Sequence, residues 1–378
     1  MSEDRSKQES SRILSWIINL SGVLVFVVIL YLGGVEAWRQ IARADGRYLV
    51  AAFLLTLLWN VVAAYRWALI AGQVSAEAKA CPFRYYLTYH MIGMLTGQVV
   101  PISVGMLGAR PVALNLSRGV SLKRAALSVF LDKLFDLIQA LLLVIPVALF
   151  LVGWISLPLA LGLMAATTVV GLVATGWKYE QALRWLARIS SRLANVLSRL
   201  PVIERRLLRR LPQQIGRLAT ESFVPNPLAL RVFALTVVMY ALLSARLFYI
   251  AQALRLDIPW YLLAMGACVT QLTLIFSVTP GSLGFLEGGW AAVLGLAGLS
   301  SGQIVFFLIG RRAFVLVFTL INTLLAFAWI RESPARLFRA VLAASRQPAR
   351  NAGTAEFAEE PEGAESVGPG GADAAAGR

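Results

Sequence analysis

Long apolar stretches dominate the chain, and several are close to the length that a helix needs to cross a bilayer. Runs such as 13–32, 134–152 and 157–175 contain few polar positions. A helix needs roughly 20 apolar residues to cross a hydrocarbon core about 30 Å thick, which predicts that these runs lie in lipid. We expect six full spans, at 13–32, 48–71, 123–150, 154–176, 227–250 and 303–330.

Two further apolar segments, 85–117 and 264–296, contain too many glycine and proline residues for simple helices. Both are predicted to be re-entrant helical hairpins, which enter and leave the bilayer on one side. Such irregular backbone is tolerated only where protein or a wet cavity surrounds it. The expected turn residues are Pro101, Gly105 and Gly108 in the first hairpin, and Pro280, Gly281 and Gly284 in the second.

A shift of 179 residues aligns the two halves of the chain without a gap. The motif P-x-S-x-G at 101–105 falls on the same motif at 280–284, and the apolar run 48–71 falls on 227–250. Each half is therefore predicted to consist of a span, a hairpin and a further span. Repeat 1 is expected at about 48–150 and repeat 2 at about 227–330.

The formal net charge of +15 is concentrated between and after the apolar runs. Segment 178–217 contains ten Lys and Arg residues against two Glu residues. By the positive-inside tendency, the basic loop 178–224 is predicted to be cytoplasmic, as are the tails 1–12 and 332–378. The last tail is rich in Gly, Ala and Glu after residue 350, so most of it is expected to be disordered. Membrane orientation accounts for the charge, and no nucleic-acid partner is expected.

With both termini in the cytoplasm, the two predicted hairpins enter the bilayer from opposite sides. Arg118, Lys123 and Arg124 flank the first hairpin, whereas the corresponding segment 297–303 has no charged residue. The fold class predicted is therefore an all-α polytopic membrane protein with two inverted repeats. Transporters commonly use this plan and bind the substrate between the halves near the bilayer midplane.

Composition and motifs argue against the common enzyme classes. Only 15% of the residues are charged, against about 25% in soluble domains. The sequence has no phosphate-binding loop, no H-E-x-x-H, no zinc-type cysteine cluster and no nucleophile elbow, so no metal, cofactor or enzymatic activity is expected. His90 is the only histidine, and it is predicted to pack or hydrogen-bond near the first hairpin, with a proton relay as the alternative.

Ionisable side chains within or beside apolar segments are the candidates for substrate binding or transport. Each costs about 2.5–3.5 kcal/mol on insertion scales, so it needs a partner or a purpose. They are Arg66, Arg110, Asp132, Lys133, Asp136, Arg246, Glu287, Arg311 and Arg312.

The first hairpin places an arginine near two carboxylates. Asp132 and Asp136 are four residues apart, so both lie on one face of a helix. Arg110 follows the hairpin turn, where a guanidinium can hold a phosphate or carboxylate by two hydrogen bonds. The alternative is a structural ion pair between Arg110 and one of the two aspartates, and the two interpretations are compatible.

The second hairpin carries a carboxylate instead. Glu287 follows several glycines that permit a turn and a close approach of backbones. It is expected either to pair with Arg246, Arg311 or Arg312, or to gain and lose a proton during transport.

Three segments together resemble a known family: V-V-P-I-S-V-G-M-L-G-A-R, R-G-V-S-L-K-R-A-A-L-S-V-F-L-D-K-L-F-D-L and S-V-T-P-G-S-L-G-F-L-E. They are similar to the lysylphosphatidylglycerol synthase transmembrane family of flippase-like membrane proteins, over about residues 13–331. Arg110 matches the basic residue after the family's first P-x-x-x-G. Asp132, Lys133 and Asp136 match its E-R-x-x-D, with Asp and Lys in place of the usual Glu and Arg. Pro280, Gly284 and Glu287 match its P-x-x-x-G-x-x-E.

The resemblance implies a stand-alone flippase-type module in the inner membrane that moves an anionic phospholipid or lipid-linked amphiphile between leaflets. Some members carry a soluble aminoacyltransferase domain, but the segment 332–378 is too short for one, so synthase activity is not expected. The alternatives are a membrane-embedded enzyme, or a scaffold subunit, in lipid modification or in lipid-linked saccharide or hopanoid biosynthesis. A second copy of the chain and a lipid-biosynthesis enzyme are further candidate partners.

Overall fold

The computed structural model describes residues 39, 41–99, 102–176, 225–275, 279 and 281–330, and its regular structure there is entirely helical. Its helices are α1 (Gly46–Val74), α2 (Ala76–Lys79), α3 (Phe83–Val99), α4 (Ile102–Arg118), α5 (Leu122–Leu151), α6 (Leu157–Gly176), α7 (Asn226–Ala253), α8 (Trp260–Ile275), α9 (Phe285–Leu296) and α10 (Ser301–Ile330). The predicted span 13–32, the basic loop 178–224 and both tails lie outside the described residues.

Five of the described helices are long and apolar enough to cross a membrane: α1, α5, α6, α7 and α10. They correspond to the last five predicted spans. Large apolar side chains on them, among them Leu58, Val169 and Leu324, are exposed, whereas the arginines Arg66 and Arg110 are completely buried. A surface of this kind suits contact with lipid, and the all-helical polytopic fold class is confirmed.

Helices α1 and α7 pack along each other and run antiparallel. The backbone N–H of Asp45, at the start of α1, donates to the carbonyl of Ala253 at the end of α7 over 3.0 Å. Towards the other end of the pair, Arg66 donates to the hydroxyl of Thr236 over 2.8 Å. Because α7 is the repeat counterpart of α1, equivalent helices of the two halves point in opposite directions, as inverted repeats require.

The described helices reproduce the repeat that the sequence predicts. Both bounds of α10 (Ser301–Ile330) are those of α5 (Leu122–Leu151) moved by 179 residues. The helix pair α3–α4 corresponds in the same way to α8–α9. The halves also interlock, since α3 of the first half packs on α10 of the second, and α8 of the second packs on α5 of the first.

The two helix pairs are hairpins whose bases lie at opposite ends of the α1–α7 pair. At one end, the Tyr86 hydroxyl of α3 donates to the Ala78 carbonyl just after α1, over 2.8 Å. At the other end, side chains of α8 and α9 share an apolar cluster with Leu254, which follows α7. The tips meet between these ends, because a Cβ on Gly281 would lie 3.1 Å from the carbonyl oxygen of Gln98.

The predicted turn glycines divide into two groups. Gly281 and Gly284 lie in the turn before α9 and have φ angles of 58° and 81°, which glycine adopts without strain. The prediction for Gly105 and Gly108 is wrong, since both lie inside α4. A Cβ on Gly105 would lie 2.5 Å from the backbone nitrogen of Gly97, so this glycine permits close packing of α3 on α4. Pro101 and Pro280 lie outside the described residues.

This packing predicts opposite outcomes for two glycines of the same helix. We expect Gly105→Ala to lower the unfolding free energy by about 1–3 kcal/mol, because the added methyl group meets backbone atoms of Gly97. Gly108→Ala is the matched control, since nothing lies within 4 Å of a Cβ there, and replacing a helical glycine stabilises by about 0.5–1 kcal/mol. Thermal unfolding of the purified variants in detergent measures both, and equal stabilities would contradict the close contact.

The opposed hairpins also predict the sidedness of their bases. In a background with Cys81→Ala and Cys268→Ala, we expect Ser117→Cys and Ala297→Cys to react with a membrane-impermeant thiol reagent from opposite sides of the membrane. The reaction of each cysteine is measured in sealed vesicles and in permeabilised vesicles. Reaction of both cysteines from the same side would contradict the inverted arrangement.

Candidate functional site

Asp132 of α5 is the centre of a first buried charge cluster and is only 1% exposed. Its Oδ1 accepts a hydrogen bond from Nε of Arg66 on α1 over 2.8 Å. Its Oδ2 accepts one from Nη1 of Arg110 on α4 over 3.0 Å. A single carboxylate therefore links three helices, and both of its oxygen atoms are paired with a guanidinium.

Arg66 extends this cluster to a second carboxylate. Its Nη1 donates to Oδ1 of Asp136 over 2.6 Å, in addition to the bond with Thr236 of the second half. Lys133 pairs with the other oxygen of Asp136 over 2.8 Å and is 31% exposed. Arg66 thus meets the requirement that a charge inside the membrane be paired and hydrogen-bonded.

Arg110 has a second partner in His90 of α3. Nη2 of Arg110 contacts Nδ1 of His90, and Nε2 of His90 lies 3.3 Å from Oδ1 of Asn60. Because a guanidinium only donates, Nδ1 must accept, and the ring proton belongs on Nε2 facing the amide oxygen. A protonated ring would bring two cations together, so this geometry favours the hydrogen-bonding interpretation of His90 over a proton relay.

Of the two interpretations of Arg110, the structure shows the structural ion pair. Its partner is Asp132 and not Asp136. The Arg110 guanidinium also lies 5.3 Å from the ring centroid of Trp67. With a carboxylate, an imidazole and an aromatic ring around it, this arginine has a partner within the protein at each of its two terminal nitrogens.

Glu287 is the centre of a second cluster, in the first turn of α9. Its Oε2 accepts a hydrogen bond from the backbone N–H of Gly284 over 2.9 Å. Its Oε1 lies 3.5 Å from Nη1 of Arg312 and 3.6 Å from Nη2 of Arg311, both on α10. Arg312 also donates to the carbonyl of Gly281 over 2.8 Å, which ties α10 to the turn of the second hairpin.

Arg246 of α7 has no carboxylate partner among the described residues, although it is only 9% exposed. Of the three arginines predicted as partners of Glu287, the structure pairs Arg311 and Arg312 with it. Arg246 lies instead on α7, which packs on α10, the helix of Arg311. Its guanidinium is 5.9 Å from the ring centroid of Trp59. The described residues therefore contribute three arginines and one glutamate to the second cluster.

Trp59 of α1 lies between the two clusters. Its ring centroid is 5.9 Å from that of His90 in the first cluster, and Arg246 of the second cluster approaches the same indole. The predicted site residues thus form two separate groups, with an aromatic side chain between them.

Sequence reasoning missed the uncharged members of these clusters. Asn60 and Thr236 are polar positions inside apolar runs, the same signal that identified the ionisable residues, although at a lower energetic cost. Trp59 carries no such signal, since the sequence suggests only that tryptophans anchor helices at the membrane surface. Within the described ranges, no group of three His, Cys, Asp or Glu residues is placed to hold a metal ion.

The fold and these clusters define a multi-pass helical membrane protein with two interlocked halves that enclose buried charges. The family model described as the lysylphosphatidylglycerol synthase TM region matches residues 16–322, and the chain belongs to this family. It is also similar to a UPF0104 membrane protein of Methanothermobacter thermautotrophicus. The two are 26% identical over 297 residues, which cover 75% of this chain and 85% of the relative.

The first cluster predicts unequal costs for its two carboxylates. We expect Asp132→Asn to lower the unfolding free energy by about 3–5 kcal/mol, because it leaves two fully buried guanidinium groups without their shared charge partner. Asp136→Asn, on the same helix, should cost clearly less, since Asp136 is 17% exposed and Lys133 beside it can reach outwards. Thermal unfolding in detergent compares the two, and equal losses would contradict the central position of Asp132.

Proposed function

We propose that this protein binds an anionic lipid or lipid-linked amphiphile and moves it between the two leaflets. The observation that carries the proposal is that two charge clusters are buried among lipid-facing helices. The second cluster contacts the turn of the second hairpin, whose tip meets that of the first. An amphiphile suits such a site because its tail remains in the hydrocarbon while its charged head group enters the polar interior.

The sign of the clusters supports an anionic head group. The second cluster has an excess of guanidinium groups over carboxylates, and the first adds Lys133, whose partner Asp136 is shared with Arg66. Uncompensated charge is costly at membrane depth. A negatively charged group that enters the interior offsets this cost, whereas a cationic one adds to it.

The inverted arrangement of the hairpins supports movement and not binding alone. In transporters built from inverted repeats, one half moves against the other around a site near the midplane, so that the site opens to each side in turn. The family description and the relative's printed name both support a membrane role. We place the protein in the inner membrane with both termini in the cytoplasm.

Leaflet exchange in reconstituted vesicles tests this function. We expect the wild-type protein to accelerate the exchange of fluorescent phosphatidylglycerol or phosphatidic acid at least about tenfold over protein-free vesicles, a barrier change of about 1.4 kcal/mol. Arg311→Gln should remove most of this acceleration, because it weakens the attraction for the head group. Dithionite quenching of the outer leaflet gives the rate.

The matched control is Arg231→Gln, an exposed arginine on α7 away from the clusters, which should retain the wild-type rate. Absence of acceleration by the wild-type protein with either lipid would contradict the proposed movement. Formation of a modified lipid by the purified protein would identify an enzyme instead.

A further inference from the structure

Several guanidinium nitrogens of the second cluster are buried without a hydrogen-bond partner among the described residues. They are Nε of Arg246 and both Nε and Nη2 of Arg311, the last of which lies 3.6 Å from Oε1 of Glu287 without a hydrogen bond. These two arginines are 9% and 5% exposed, so bulk water does not replace the missing acceptors. Buried donors are normally satisfied, and those of a charged group are the most costly to leave unpaired.

The first cluster is closer to balance, with two aspartates for Arg66, Arg110 and Lys133. Nε of Arg110 is also unpartnered among the described residues, but the Arg110 guanidinium is paired with Asp132. In the second cluster, the described residues supply Arg246 with no carboxylate, and Arg311 shares Glu287 with Arg312. The acceptor that the second cluster lacks must therefore carry negative charge.

The balance of charge in the second cluster indicates how much negative charge a bound ligand should carry. Within the part of the chain that the structure describes, three guanidinium groups face one carboxylate, an excess of two positive charges. Arg246 and Arg311 lie on packed helices, α7 and α10, where their charges repel. An anion bound to both would turn this repulsion into two attractions. A group with a single negative charge would leave half of the excess uncompensated.

The chemistry of guanidinium narrows the class of anion further. Its planar fork matches phosphate and carboxylate oxygens with two parallel hydrogen bonds. A carboxylate or a phosphodiester carries one negative charge, whereas a phosphate monoester carries about 1.5 to 2 at neutral pH and has three terminal acceptor oxygens. The monoester therefore fits both the donors and the charge.

We infer that Arg246 and Arg311 together bind the phosphate monoester group of a lipid. Arg312 remains held by Glu287 and by the carbonyl of Gly281, so it keeps the hairpin turn on α10 while the other two arginines hold the ligand. This inference rests on the proposed function only in taking the phosphate to be carried by a lipid. It assigns the head-group site to the second half of the protein, and it leaves Arg110 as a structural residue.

Lipid-dependent thermal stability of the full chain in nanodiscs tests the site. The discs consist of phosphatidylcholine alone, or of phosphatidylcholine with phosphatidic acid or with phosphatidylglycerol. Phosphatidic acid has a phosphate monoester and phosphatidylglycerol a diester on otherwise similar lipids. We expect phosphatidic acid to raise the melting temperature of the wild-type protein more than phosphatidylglycerol does, because ligand binding to the native state stabilises it.

Arg246→Gln separates a ligand site from a structural role. If Arg246 binds the ligand, this variant should keep or raise the melting temperature in phosphatidylcholine, because it removes an unpaired charge next to Arg311. It should also weaken the apparent affinity for phosphatidic acid at least about tenfold, the change expected for losing a charged hydrogen bond. Arg231→Gln, exposed on the same helix, should change neither quantity.

Four outcomes would overturn the inference. Arg246→Gln melts at a lower temperature in phosphatidylcholine, which makes the arginine structural. The same variant retains the full response to phosphatidic acid. Phosphatidylglycerol stabilises the wild-type protein as well as phosphatidic acid does. Inorganic phosphate added to phosphatidylcholine discs reproduces the whole shift, which makes the ligand a free anion and not a lipid.

The site and the proposed movement can fail separately. Selective binding of phosphatidic acid through Arg246, without acceleration of its leaflet exchange, supports the site and contradicts the movement. Acceleration of exchange that shows no preference for phosphatidic acid, and does not depend on Arg246, contradicts the site and supports the movement.

Discussion

A carboxylate in the apolar interior has to be neutralised by the protein, and in this structure Asp132 meets that constraint by binding one arginine with each oxygen. Arg66 and Arg110 belong to different helices, so the positions of α1, α4 and α5 are fixed by one side chain. Arg66 also reaches α7 through the hydroxyl of Thr236, which links the halves. Apolar packing discriminates poorly between helices in lipid. The first hairpin therefore depends on this ionic contact for its place against α5.

The pseudo-symmetry of the backbone does not extend to the charges. Asp132 of α5 corresponds by the repeat to Arg311 of α10, so this position is acidic in one half and basic in the other, whereas Lys133 and Arg312 keep the same sign. The buried charges of the hairpins are opposite too, with Arg110 in the first hairpin and Glu287 in the second. In the first cluster each guanidinium is paired with an aspartate, whereas in the second the described residues supply no carboxylate for Arg246. Two similar halves thus differ in their buried charge, and the anion site that we propose lies in the second of them.

Apolar length and the repeat predicted most of the fold, because a span must be long enough for the bilayer and equivalent halves keep equivalent lengths. The glycines of α4 show the limit of this reasoning: glycine marks either a turn or a close contact, and the sequence near Gly105 does not distinguish them. The cost of buried charge identified the site residues but not their pairing. Arg66 and Asp132 are separated by 66 positions, and only the crossing of α1 and α5 brings them together.

The reversed signs also determine which hairpin helix can accompany which long helix during assembly. If α4 and α9 exchanged places, Arg110 would face Arg311 and Glu287 would face Asp132, so that like charges would meet in a medium that screens them weakly. In a chain with two nearly equivalent halves, α4 and α9 could exchange places in this way while the segments insert into the membrane. The opposite charges of the two halves make the wrong arrangement repulsive. Two related halves can therefore fold in one membrane without exchanging helices.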